Sequence, residues 1–301
     1  MRDDLPELRD ELAARGDGIK ALYINRDKDD HRRHLIELEL ARVGMSGTRL
    51  RAIEGFDVPP DLAGYFAHAD GRRAPLVSAG AIGCYGSHLK AYKQIVTQQI
   101  EVSLVLEDDA ILDNRLPEIL RETVVVLPSG WDMVHLSSPP RHAVKPLVGL
   151  PCGRTLVRYS RIPFGTGGYL ISKAGAIKML NPAIKRIWAI DLDTRRPWLF
   201  GIDAYGLIAP PIRQNREIAS TIYVKGAPRS ARRGLPRPTA YSWTNTPLRT
   251  PASFLFNVRK LGAAWWFRCF AVNCVLKLRA SLRPLVRVTA GYSRRARLMW
   301  R

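Results

Sequence analysis

The chain has 301 residues, enough for one large domain or two small ones. Hydrophobic residues make up 46% and charged residues 25% of the sequence, which is typical of a globular protein and excludes a disordered, collagenous or disulfide-stapled chain. The charge balance is unusual, because 47 basic residues against 27 acidic ones give a net charge of +20.

This charge is concentrated at one end of the chain. Residues 226–301 contain fourteen Arg, two Lys and no acidic residue, so they carry +16 and leave only +4 for residues 1–225. Such a basic segment seeks phosphate, either on nucleic acid or on an anionic lipid surface. We therefore predict a catalytic domain over residues 1–225 and a basic, helical C-terminal tail over residues 226–301.

The sequence gives three indications of the compartment. The first eighteen residues have charges every few positions and no apolar run, which predicts an amphipathic helix rather than a secretory signal. The four cysteines have no CxxC spacing and are too few for a disulfide framework, which is typical of a reducing cytosol and predicts no zinc site. No stretch reaches the roughly 18 apolar residues that span a bilayer, so we expect a cytoplasmic protein that can lie on a membrane.

Predicted strands and helices alternate over the first 180 residues. In chain order they are a strand at 19–24, a helix at 30–42, a strand at 48–53, a helix at 79–98 capped by Ser78, a strand at 102–106, a helix at 116–126, strands at 131–136 and 168–171, and a helix at 174–180 capped by Ser172. This alternation predicts an α/β fold with a mostly parallel sheet, whose ligands lie at the carboxyl ends of the strands.

Three adjacent acids, Glu107, Asp108 and Asp109, follow the apolar strand VSLVL. Their mutual repulsion costs stability unless a cation or a set of donors neutralises them. Oxygen ligands suit Mg²⁺ or Mn²⁺, which fill their remaining positions with phosphate and water. The alternative is a solvated helix start or loop, where acidic residues are common.

Five blocks of the sequence together resemble glycosyltransferase family 25, a group associated with lipooligosaccharide and lipopolysaccharide biosynthesis that also includes collagen galactosyltransferases. The blocks are ALYINRDKDDHRRHL, AGAIGCYGSHLKAYKQI, SLVLEDDAIL, FGTGGYLISKAGAIKML and AIDLD, in this order between residues 21 and 193. The combination of Gly-x-x-x-Ser-His, Leu-Glu-Asp-Asp and Gly-Thr-x-x-Tyr-Leu-Ile-Ser carries the resemblance.

The resemblance implies a GT-A-like nucleotide-sugar-binding fold and inverting transfer of a hexose, most often galactose from UDP-galactose. The family's acidic motif matches residues 107–109, so a Mn²⁺ or Mg²⁺ ion would be held there against the diphosphate of the donor. We assign Glu107 and Asp109 as its ligands and Asp108 to the donor site, although the Glu-Asp-Asp pattern leaves open which two acids ligate.

The resemblance also assigns the remaining site residues. Those that match the donor-binding blocks are Asn25, Arg26, Arg33, Ser87 and His88, with a core position as the alternative for His88. Those that match the acceptor block are Gly165 and Thr166. An inverting transfer needs one general base, for which a carboxylate is expected. We assign Asp191; it lacks the proline that often precedes the family's aspartate, so Asp193 and Asp203 remain alternatives.

Aromatic and basic residues are interleaved over residues 253–282, which favours the headgroup level of an anionic membrane. The alternative is a helix packed on the catalytic domain with a solvated basic edge. We expect an enzyme on the cytoplasmic face of the inner membrane that extends a lipid-linked saccharide, and we expect no nucleic-acid partner. Two other functions stay open: a metal-dependent phosphoryl or nucleotidyl transferase, and a non-enzymatic protein that binds anionic membranes or nucleic acid.

Overall fold

The structure is a computed structural model that describes residues 19–55, 57–66, 78–215 and 250–278. The strands in these ranges are β1 (Lys20–Asn25), β2 (Gly47–Arg51), β3 (Val102–Glu107), β4 (Ala110–Leu112), β5 (Met133–His135), β6 (Val144–Gly149), β7 (Thr155–Tyr159), β8 (Gly168–Ser172), β9 (Ala204–Ile208) and β10 (Ile212–Gln214). The helices are α1 (Asp30–Arg42), α2 (Pro60–Ala63), α3 (Ala79–Thr97), α4 (Leu116–Val126), α5 (Lys173–Met179), α6 (Ile190–Asp193), α7 (Pro197–Phe200), α8 (Pro251–Leu261) and α9 (Ala263–Leu278).

Eight strands form one mixed sheet in the order β2-β1-β3-β8-β5-β9-β7-β6, and β4 pairs with β10 in a separate ribbon. The pairings make six strands of the large sheet point the same way, with β8 and β7 reversed. The expected α/β class and mostly parallel strand direction are therefore confirmed, although four of the seven neighbouring pairs are antiparallel. The carboxyl ends of β1, β2 and β3 and the amino end of the reversed β8 meet at one edge.

Both faces of the sheet are covered by helices. In β1, Leu22 packs on one face with α3, whereas Tyr23 packs on the other face with α1 and α4, as expected from the two-residue period of a strand. The core against α3 includes Tyr85, Leu89 and Tyr92, each fully buried. This packing fixes α3 directly beneath the edge where the acids emerge.

The predicted elements between residues 19 and 180 are found with shifts of a few residues at their ends. The Oγ atoms of Ser78 and Ser172 cap α3 and α5, accepting backbone hydrogen bonds from Ala81 and Gly175 at 3.3 and 3.0 Å. The sequence patterns missed β6, β7, β9 and the β4–β10 ribbon. The strand β6 is missed because it is exposed at the edge of the sheet and therefore has no buried apolar run that a sequence pattern could reveal.

The helices α8 and α9 pack against the body of the protein. Leu261, Trp266 and Cys269 are buried, and the Nζ atom of Lys145 donates to the carbonyl of Leu261 at 2.8 Å. The helices meet at Gly262, where φ is +81°, and the chain bends there by 115°. In the described part of the chain no single helix is long and apolar enough to span a membrane, although this bent pair taken together meets that criterion by length and composition.

Two sequence predictions lie outside the described residues. The predicted amphipathic helix falls within residues 1–18, and the boundary between the two predicted parts falls within residues 216–249. The division into 1–225 and 226–301 therefore stays a prediction.

Candidate active site

The carboxyl ends of β1, β2 and β3 open into a cavity of about 420 Å³, called here the donor cavity. Its polar lining includes Asn25, Arg26, Arg32, Ser87, His88, Glu107, Asp108, Asp109, Gln214 and Asn215. Eight of these side chains come from β1 and the residue directly after it, from α1 and α3, and from the residues at the end of β3. The parallel arrangement of the three strands thus brings together residues that lie more than 80 positions apart in the sequence.

Asp108 is held by donors on both of its oxygens. Nε of Arg32 donates to Oδ1 at 2.8 Å, with Nη2 of the same guanidinium also bonded to Oδ1, and Nδ2 of Asn25 donates to Oδ2 at 2.8 Å. All three side chains are buried. Asp108 therefore anchors β1 and α1 to the end of β3 and shapes the donor cavity from behind.

Glu107 and Asp109 lie on either side of this anchor, and both line the cavity. Burial favours a raised pKa for Glu107, but nearby His88 and a hydrogen bond from Oγ1 of Thr166 at 2.8 Å outweigh it and lower the pKa. For Asp109, burial and the charge of Glu107 raise the pKa to about 6. Its Oδ1 is buried and has no hydrogen-bond partner among the described residues.

These two carboxylates fit a divalent cation. A buried carboxylate oxygen without a donor is costly. Nη2 of Arg32 lies 3.4 Å from Oδ2 of Asp109 and lowers its pKa, but burial and the charge of Glu107 outweigh this effect, so the ionised form of Asp109 is only partly compensated. A cation next to Glu107 and Asp109 would supply that compensation, and hard oxygen ligands of this kind bind Mg²⁺ or Mn²⁺. The predicted pair of ligands is consistent with the geometry, whereas Asp108 is already occupied by Arg32 and Asn25.

The Ser-His pair of α3 has two different roles. Ser87 donates from Oγ to the carbonyl of Gly83 at 2.7 Å and accepts from the backbone N–H of Ile53 at 2.8 Å, so it ties α3 to the segment after β2. His88 is 1% exposed, and its Nδ1 lies 2.8 Å from the hydroxyl of Tyr169. Its Nε2 faces Glu107 at 3.8 Å and has no hydrogen-bond partner within the described ranges.

The structure does not bring Arg33 into the donor cavity. Its side chain is nearly half exposed and pairs with Glu37 one turn further along α1, at 3.0 Å. Arg32, which is buried, lines the cavity instead. Neighbouring residues of a helix point about 100° apart, so only one of the two arginines of DHRRHL can face the sheet edge. The assignment of Arg33 is corrected to Arg32 on this ground.

A second cavity of about 970 Å³, called here the acceptor cavity, adjoins the first. Both cavities are lined by Cys84, Glu107, Gln214 and Asn215. The acceptor cavity also contains Gly165, Thr166 and Asp191, so the three residues assigned to the acceptor and the base lie together. Because β8 is reversed, its preceding loop comes to the same edge, where the N–H of Glu107 donates to the carbonyl of Gly167 at 3.1 Å.

The three candidate bases differ in what surrounds them. Asp193 is 2% exposed and is bonded to Arg196 and to the hydroxyl of Tyr85. Asp203 is paired with Arg158 and Lys260. Asp191, in contrast, lines the acceptor cavity, and within the described residues it forms no ion pair. Burial and the charge of Glu107 raise its pKa, against the lowering effect of Arg195. The geometry therefore favours Asp191.

Several residues that line the cavities, among them Arg32, Cys84, Gln214 and Asn215, are not assigned from the sequence. The resemblance assigns Arg33 rather than Arg32, and the cysteine spacing gives Cys84 no role. The signal for Cys84 was its spacing of four residues from His88, which places both side chains on one face of a helix.

A sequence profile of glycosyltransferase family 25, described as LPS biosynthesis proteins, matches residues 19–194. The chain belongs to this family. The match covers β1 to α6 and includes every residue that lines the two cavities except Arg213, Gln214 and Asn215.

Several animal proteins are similar to part of this family 25 chain. Procollagen galactosyltransferase 1-B of Xenopus laevis is 37% identical over 123 residues, which are 40% of this chain and 20% of that protein. Procollagen galactosyltransferase 1 of Danio rerio is 30% identical over 135 residues, 43% and 22% of the two chains. Inactive glycosyltransferase 25 family member 3 of Mus musculus is 33% identical over 124 residues, which are 38% of this chain and 20% of that protein. The chain thus spans about a fifth of the length of these relatives.

Two solved structures are also similar to the family 25 chain. The crystal structure of A197 from STIV has a TM-score of 0.34 at 11% identity, covering 64% of this chain and 83% of that one. A glycosyltransferase involved in glycosylation of the major capsid of PBCV-1 has a TM-score of 0.29 at 12% identity, and the match covers 54% of this chain and 63% of that one. Since both scores lie below 0.5, the description of the fold rests on the topology of this chain.

Proposed function

We propose that this protein is an inverting glycosyltransferase that moves a hexose from a nucleotide-sugar to a saccharide acceptor. The observation that carries the proposal is the meeting of the two cavities at Glu107. The donor cavity has two acids suited to a cation, and the acceptor cavity has a carboxylate suited to a base, Asp191, which forms no ion pair with the described residues. A group transferred between two substrates has to pass through such a junction.

The donor we propose is UDP-galactose, bound in a GT-A-like arrangement at the carboxyl ends of β1 to β3. The names of the procollagen galactosyltransferases support galactose, and family membership supports a nucleotide-sugar. A Mn²⁺ or Mg²⁺ ion bound by Glu107 and Asp109 would act as a Lewis acid that stabilises the charge of the departing UDP. Arg26 and Arg32 line the same cavity and add positive charge near the diphosphate.

The chemical step assigns a separate role to Asp191. Its carboxylate accepts the proton of an acceptor hydroxyl while that oxygen forms a bond to the anomeric carbon. The bond from this carbon to the diphosphate oxygen breaks on the opposite face, so UDP leaves and the configuration inverts. A base works best with a pKa close to the operating pH, and burial moves Asp191 in that direction.

The acceptor we propose is lipid-linked, with the protein held on the cytoplasmic face of the inner membrane. Large apolar side chains exposed on α8 and α9 are Leu255, Phe267, Val272, Val275, Leu276 and Leu278. Basic residues on the same helices are Arg259, Lys260, Arg268 and Lys277, and neither helix contains an acid. Exposed apolar and basic groups in one segment suit the headgroup region of an anionic bilayer.

The other two functions considered from the sequence have less support. A phosphoryl or nucleotidyl transferase would use the same acids, but the family profile covers both cavities and favours transfer of a sugar. A protein that binds through its tail alone would have no use for the enclosed acids. Thermal stabilisation by ligands distinguishes a glycosyltransferase from a phosphoryl or nucleotidyl transferase, because a ligand that binds only the folded state raises the melting temperature. UDP-hexoses should raise it more than nucleoside triphosphates.

The decisive experiment is a donor screen with product detection by mass. Wild-type protein, UDP-hexoses, Mn²⁺ and a lipid-linked saccharide are expected to yield an acceptor heavier by one hexose. Asp191→Asn should lower kcat by about 10²- to 10⁴-fold, the usual rate contribution of a general base, with little change in melting temperature.

Asp109→Asn should abolish the dependence of turnover on Mn²⁺.

The matched control is Asp61→Asn, which removes an exposed acid paired with Lys93 outside both cavities. It should retain full turnover. Equal turnover by wild type and Asp191→Asn would remove the base assignment, and absence of transfer from every UDP-hexose would contradict the proposed function itself.

A further inference from the structure

We propose that Cys84, His88 and Glu107 form a binding site for a thiophilic transition-metal ion such as Zn²⁺, at the junction of the two cavities. One ligand atom from each residue lies within 4.8 Å of the other two. The sequence predicted no zinc site, because the cysteines lack paired spacing. The third ligand comes from β3, and only the folded chain places it beside α3.

The distances suit a metal ion after a small adjustment. Zinc–ligand bonds of about 2.0 to 2.3 Å in a tetrahedral site place the ligand atoms about 3.3 to 3.8 Å apart. Nε2 of His88 and Oε1 of Glu107 are already 3.8 Å apart. Cys84 and His88 are one helical turn apart on α3, so both face Glu107 from the same side.

The neighbours of His88 are compatible with the tautomer that a metal requires. Nδ1 of His88 lies 2.8 Å from the hydroxyl of Tyr169, whose oxygen can accept from Nδ1–H while it donates to the hydroxyl of Tyr92 at 2.9 Å. In that tautomer Nε2 has the lone pair, and Nε2 is buried without a hydrogen-bond partner in the described part of the chain. A histidine ligand oriented through its other nitrogen is the usual outer-shell arrangement of metal sites.

The donor set decides which class of ion binds. Burial and the charges of Glu107 and Asp191 raise the pKa of the Cys84 thiol, so a cation has to displace its proton, and the proton leaves to solvent. Zinc and cobalt do this readily with sulfur, whereas Mg²⁺ prefers oxygen alone. Three protein ligands leave a fourth position open to water or substrate, as in zinc sites that are not purely structural.

Glu107 is shared with the pair Glu107 and Asp109 that the proposed function assigns to the donor's metal ion. An ion bound to Cys84 and His88 therefore takes Glu107 away from that pair. Under the proposed function, Zn²⁺ and the donor-bound Mn²⁺ exclude one another, so zinc inhibits transfer by competition. The existence of the thiolate site does not depend on this consequence.

The test uses the full-length protein and Co²⁺ as a spectroscopic probe, with Zn²⁺ as competitor. Wild-type protein should develop a thiolate-to-cobalt charge-transfer band that Zn²⁺ abolishes. Cys84→Ser should lose the band, and His88→Gln should weaken Co²⁺ binding at least tenfold. Two controls should keep the band: Cys152→Ser, a free cysteine outside both cavities, and Asp109→Asn, which leaves all three ligands in place.

Zinc-edge X-ray absorption of the wild-type protein reads the ligands without any substitution. One sulfur with nitrogen and oxygen neighbours is the expected shell. A shell without sulfur, a missing cobalt band in the wild type, or a band that survives Cys84→Ser overturns the site. These readouts do not involve sugar transfer, so failure of the proposed function would leave them unchanged, and an active transferase without the band would contradict only this inference.

Discussion

At the scale of single residues, two adjacent arginines have opposite environments. Arg32 is buried and neutralises Asp108, a carboxylate that is itself buried. Arg33 points toward solvent and pairs with Glu37, with both side chains more than 40% exposed. Removing one partner of a buried ion pair leaves an uncompensated charge, whereas an exposed pair is screened by water.

We therefore predict that Arg32→Gln lowers the free energy of unfolding by roughly 3 to 5 kcal/mol, and that Arg33→Gln lowers it by less than about 1 kcal/mol. Urea denaturation of the two variants under identical conditions measures the difference. Since both changes remove one positive charge from α1, net charge is controlled. Equal losses would show that the Asp108 anchor does not stabilise the fold.

At the scale of elements, α3 lies unusually close to the segment after β2. A Cβ atom added at Gly83 would lie 2.5 Å from the carbonyl oxygen of Ile53 and 2.9 Å from the backbone nitrogen of Gly55. At Gly86 the closest atom is Cδ1 of the Ile53 side chain, at 3.0 Å. The backbone atoms near Gly83 cannot move aside for an added Cβ atom, whereas the end of the Ile53 side chain near Gly86 can. The two positions therefore differ in how well they tolerate alanine.

Gly83→Ala should destabilise the protein by about 2 kcal/mol or more, as overpacking against fixed atoms does. Gly86→Ala should change stability by no more than about 1 kcal/mol, because the alanine also favours the helix by about that amount. Thermal melts of both variants provide the measurement. Since Ile53 and Gly55 line the donor cavity, Gly83→Ala should also weaken UDP binding. If the variant kept the wild-type melting temperature and the wild-type affinity for UDP, the close approach of α3 to the segment after β2 would be contradicted.

At the scale of the whole molecule, the charge of +20 is divided between a nearly neutral body and a strongly basic C-terminal part. Within the described residues of that part, α8 and α9 pack on the body through their buried side chains and expose other apolar side chains outward. The packed-helix alternative and the membrane proposal are therefore compatible, since the two use different residues.

The full-length chain should bind vesicles that contain anionic lipid, and raised salt should weaken this binding through screening. The double variant Arg268→Glu and Lys277→Glu should bind at least tenfold more weakly, since each basic residue near the surface contributes about 1 kcal/mol. Cosedimentation with vesicles measures both effects.

The control for this experiment is the double variant Lys20→Glu and Lys90→Glu. It has the same net charge, but neither residue lies on α8 or α9. Equal weakening in both double variants would mean that total charge, rather than these helices, governs association. Equal binding to neutral vesicles would contradict an electrostatic contribution.

Much of the scaffold could be predicted from the sequence, because β1, β3, α1, α3 and α4 carry their own local signals. Buried apolar runs mark the strands, and Ser78 marks the start of α3. The edge strand β6, its neighbour β7 and the short ribbon could not be predicted. The strand β6 has no buried apolar run, and the pairings of β7 with β9 and of β4 with β10 join distant segments.

The sequence by itself determined the α/β class, the family, the acids at 107–109 and the asymmetry of charge, because each depends on residue type and short spacing. Only the tertiary structure decided which arginine faces the cavity, that Asp108 is an anchor, and that Cys84 and His88 lie against Glu107. The physical reason is that burial, ion pairing and the distance between ligand atoms arise where separate elements pack together. The reversed β8 illustrates this, since its direction alone carries Thr166 to the edge where β3 ends.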